Sequence, residues 1–107
     1  MTTSAHEVHQ ALLLRAVRTL VEGARSRRAN LPQHSSERAF YLGVDAAAQE
    51  LLHPELGMSR APSWLELQLP AFREGYLRTA DMLAMAKTRV QPPLRLGLPE
   101  FTGAVSA

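Results

Sequence analysis

At 107 residues and 11.8 kDa, the chain has room for one domain and one core, since domains cluster near about 100–150 residues. Hydrophobic residues at 46% and charged residues at 21% are ordinary globular values that exclude wholesale disorder, and the absence of cysteine removes disulfides, a thiolate nucleophile and cysteine-ligated zinc. The pI of 9.7 overstates the charge: all basic residues but Lys87 are arginine, which does not titrate, and the net charge is only +2.

The first helix is expected from about Ser4 to Ala29. With Val8 set at zero and about 100° per residue, Leu13, Val17, Leu20, Val21 and Ala24 fall on one stripe, the pattern of an amphipathic helix. Ser4 and Glu7 have capping-box spacing, Arg25, Arg27 and Arg28 complement the dipole at the far end, and Pro32 blocks continuation.

A second helix should start at Ser35 or Ser36 and end near His53, where Pro54 disfavours helical geometry. Its apolar face is read as Phe40, Val44, Ala47, Ala48 and Leu51, with Glu50 and His53 turned away. Residues 54–62 read as a loop, and Ser63 caps a short helical piece through Leu69. A break is expected at Pro70, which suits a first helical position. The third main helix then runs to about Thr88 with Phe72, Tyr76, Thr79, Ala80 and Leu83 on its main face. Met82 and Met85 lie off that face, and Glu74 and Arg78 are spaced for an ion pair. Gly43 and Gly75, each costing about 1 kcal/mol inside a helix, are candidates for close helix approach.

The chain thus divides into a helical domain, 1–89, and an irregular Pro-rich tail, 90–107. In the tail Leu94, Leu96 and Leu98 alternate with Arg95 and Gly97, and Phe101 follows. No internal repeat stands out. The fold class is all-α: a small bundle of three main helices, the third broken at Pro70, completed by dimerisation because one copy has more apolar side chains than it can cover.

No apolar run reaches the ~20 residues of a membrane span, and the N-terminus lacks a secretory pattern, so a cytoplasmic protein is expected. Four histidines raise a metal reading through His6, His9, Glu50 and His53. Only one Glu-x-x-His pair exists, however, where helical diiron sites need two, so no metal or cofactor is assigned. There is no Gly-x-Ser-x-Gly elbow and no Gly-rich phosphate loop, so no catalytic residue is assigned.

The function expected is a non-enzymatic protein–protein interaction or adaptor module that also binds itself. Trp64, Met82, Met85, Leu94, Leu96, Leu98 and Phe101 are its candidate partner-binding residues, and loss of residues 91–107 should leave melting unchanged. The alternative is a nucleic-acid-binding regulator using Arg15, Arg18, Arg25, Arg27 and Arg28, with Glu22 interrupting the stripe.

Overall fold

A computed structural model describes residues 5–53, 68–88 and 96–102. It contains three helices, α1 (Ala5–Arg28), α2 (Ser36–Leu52) and α3 (Pro70–Thr88), and no strand among the described residues. The short piece expected at 63–69 falls mainly outside them, as do Trp64 and Leu94.

The helix ends follow from local chemistry. After α1 the chain turns over residues 29–35, where the Leu31 amide donates to the Arg28 carbonyl. Ser35 is extended at φ −75°, ψ 147°, and its hydroxyl oxygen accepts from the Arg38 amide at 3.1 Å, an N-cap for α2. His53 closes α2 through its amide to the Gln49 carbonyl at 2.8 Å. Pro70 occupies the first position of α3, where its missing N–H costs nothing, and the Leu69 carbonyl accepts from Arg73.

The core is built from Leu13, Val17, Leu20, Val21 and Ala24 of α1, Phe40, Tyr41, Val44 and Ala48 of α2, and Ala71, Leu83 and Ala86 of α3. The contacts between elements concentrate in the α1–α2 and α2–α3 pairs, so α2 is covered on two sides. This corrects the single-face reading of that helix. Glu50 does not turn away: it is half-buried and accepts a 2.6 Å bond from the Tyr76 hydroxyl of α3. On α1 the expected stripe is the buried one, joined at its start by His9, while Val8, on the opposite side, is 44% exposed.

α2 and α3 cross backbone to backbone. A Cβ on Gly43 would lie 2.1 Å from the Phe72 carbonyl oxygen, and one on Gly75 would lie 2.1 Å from that of Phe40. Each glycine therefore aims a Cα hydrogen at the opposite carbonyl, a weak Cα–H···O contact. Gly75 thus belongs to the centre of the α3 face rather than off it, with Ala71, Thr79 and Leu83 in line and Phe72 and Tyr76 half-buried beside them.

The reciprocity has a counterpart in sequence. Ala39-Phe40-x-x-Gly43 and Ala71-Phe72-x-x-Gly75 share one spacing, and Ala48 with Leu51 matches Ala80 with Leu83. The crossing is locally two-fold, and this sparse shared spacing corrects the expectation that the chain has no internal repeat. Met82 is also corrected, since it packs against the core. The Glu74–Arg78 pair is not formed; Arg78 instead lies over the Phe40 ring and donates to the Glu100 carbonyl.

Residues 96–102 have no regular structure but are part of the packed molecule. Leu96, Leu98 and Phe101 pack against the core, and Pro99 is buried. The tail therefore covers apolar surface within its own chain, which contradicts the expectation that its loss would leave melting unchanged.

Candidate functional site

Two surfaces carry the candidate residues. The first is a groove floored by Phe40 and Tyr41 of α2, which the 96–102 segment fills. Leu98 Cδ2 sits 3.5 Å from where a Cβ of Gly23 would be, so a glycine on α1 leaves room for it. The Phe101 ring packs on Phe40 at 5.7 Å between centroids, and the Phe101 amide donates to the Tyr41 hydroxyl at 3.4 Å. Glu100 is held from both walls: its carboxylate pairs with Arg27 of α1 at 3.1 Å, and its carbonyl accepts from Arg78 of α3 at 3.0 Å. Both partners of the Arg27–Glu100 pair are more than half exposed, so it is worth about 0–1 kcal/mol. Apolar contact does most of the holding.

The second surface lies at the other end of α1. His9, buried, donates from Nε2 to the Ala86 carbonyl at 3.0 Å, tying the start of α1 to the end of α3. Val8 and Met85 precede these two residues in sequence, so both lie at this end, and they are 44% and 58% exposed. On α1 an open concavity of about 390 Å³ is lined by Glu7, Val8, Ala11, Leu12, Arg15 and Arg18. Its floor is apolar, and its rim carries two arginines and one carboxylate.

The structure divides the remaining candidates. Of the sequence-read partner-binding set, Leu96, Leu98 and Phe101 are seated in the groove, Met82 is half-buried, and only Met85 among the described members stands open to water. The arginine stripe is divided as well. Arg28 forms a 2.7 Å pair with Asp45, both side chains less than a fifth exposed, and Arg27 holds Glu100. Arg15, Arg18 and Arg25 remain on the exposed face. Of the metal-reading residues, the His6 side chain is outside the described set, while His9 and Glu50 are far apart in role, one bonded to α3's end and the other to Tyr76. No group of three or more metal-capable side chains gathers among the described residues, nor is any described helix long and apolar enough to cross a membrane.

Sequence reading missed Gly23, Tyr41 and Glu100 as parts of the groove. Glycine has no hydropathy signal. Comparisons with family models, curated proteins and solved structures give no match.

Proposed function

We propose that this chain is a small, non-enzymatic helical interaction module that captures another protein at the Val8–Met85 end of the bundle. The observation that supports the reading is the exposure left after the tail has packed. Val8 and Met85 are 44% and 58% exposed, and Val8 lines an apolar concavity on α1. A cluster of exposed apolar side chains rimmed by charge is the usual mark of a docking surface. Arg15 and Arg18 beside it suit an amphipathic partner helix with acidic residues along one edge.

The test compares the wild-type chain with the double variant Val8→Asp, Met85→Asp by quantitative affinity capture from its host. Both residues are exposed, so helicity by circular dichroism should be unchanged. A protein retained at near-stoichiometric yield by wild type and reduced at least about tenfold by the variant, a loss of about 1.4 kcal/mol, supports the module. Equal capture by both chains, or retention of nucleic acid that falls steeply with salt and depends on Arg15, Arg18 and Arg25, overturns it.

A further inference from the structure

We infer that the groove over Phe40 and Tyr41 is a peptide-binding seat, which takes the 96–102 segment of a second copy of this chain as well as its own. This surface is separate from the Val8–Met85 end, and the inference stands without that reading.

The seat has a recognisable specificity. It places a leucine on Gly23, buries Pro99, pairs a carboxylate with Arg27, and packs a tilted aromatic ring on Phe40. The ligand it fits is therefore an extended Leu-Pro-Glu-Phe segment, and a second copy carries that sequence by definition.

Nothing in the attachment requires the segment to come from the same chain. Arg27, Arg78 and Tyr41 tie the segment to the helices through side chains of the seat. Exchange between copies would re-form each of these ties unchanged. With the segment in place Phe40 and Tyr41 are 0% and 1% exposed; an empty seat would strip the Phe101 ring from Phe40 and the Phe101 amide from the Tyr41 hydroxyl. A released segment therefore leaves a groove that must be refilled, by its own chain at low concentration and by a neighbour's when its own fits badly.

The decisive experiment swaps the charge between seat and segment in full-length chains. Arg27→Glu alone sets two carboxylates against each other, the introduced one and that of Glu100. Glu100→Arg alone sets the introduced guanidinium against Arg27. Both sites are more than half exposed, so both variants should fold. Mixed, each chain's segment matches only the other chain's seat, and reciprocal exchange restores both pairs at once. Native mass spectrometry of the mixture should show a one-to-one heterodimer, at least about tenfold more abundant than the dimer of either variant alone.

Gly23→Leu, introduced into both chains, fills the position of Leu98 while favouring the helix, and should abolish the heterodimer. A mixture that stays as two monomers with native circular dichroism overturns the inference, because the segment then docks only in its own chain. A heterodimer that survives Gly23→Leu also overturns it, because the association then bypasses the seat.

Discussion

Glycine stands at two helix contacts in this molecule and does opposite work at them. At the α2–α3 crossing Gly43 and Gly75 let two backbones touch, and the atom facing each missing side chain is a carbonyl oxygen that cannot move aside. On α1 the space above Gly23 is filled by the flexible end of Leu98 at ordinary contact distance. The first contact fixes how two helices cross; the second makes room for a segment that has no regular structure of its own. The contrast separates a rigid joint from an adjustable seat, although the sequence offers the same residue at both.

Three substitutions probe that difference, starting with the joint. Gly75→Ala should cost about 3 kcal/mol or more, at the upper end of the range for overpacked cores, because its Cβ would meet the Phe40 carbonyl at 2.1 Å. Chemical denaturation would measure it, and a loss below about 1 kcal/mol would mean the helices can separate cheaply. Phe101→Ala removes a half-buried ring from Phe40 and should cost about 1–2 kcal/mol, less than the 3–5 kcal/mol of a fully buried Phe. That loss lowers the melting temperature by roughly 4–8 °C per kcal/mol, and an unchanged melting curve would show that the tail is not part of the fold. Gly23→Ala should have the smallest effect and the opposite sign, a gain of about 0.5–1 kcal/mol from helix propensity and reduced unfolded-state freedom. A net loss in the same denaturation assay would place Leu98 closer to α1 than 3.5 Å.

The helix boundaries were legible because they depend on near neighbours. Ser35 caps α2 and Pro70 opens α3, as their sequence context requires. The apolar stripe of α1 was legible for the same reason. The facing of α2 and α3 was legible only in part: Gly43 and Gly75 marked a close approach, as the crossing shows, but not which faces meet there. Hydropathy periodicity finds large apolar side chains, whereas this contact is centred on Gly43, Ala71 and Gly75, which carry little hydropathy. Glu50 was misplaced by the same logic, since a carboxylate on a doubly covered helix faces a neighbour if that neighbour brings a donor, here Tyr76.

The alternating leucines of the tail announced burial but not in which chain. Nothing in Leu96-Gly97-Leu98-Pro99-Glu100-Phe101 distinguishes a hook for a partner from a strap for its own bundle. The decision lies with Gly23, Arg27, Tyr41 and Arg78, spread over three helices.

The bare crossing of α2 and α3 has a mechanical consequence. Sliding between packed helices ordinarily proceeds by side chains hopping between rotamers, and at the two glycine positions there are none to hop. There the backbones bear directly on each other, so the crossing resists sliding more than a joint padded by side chains would.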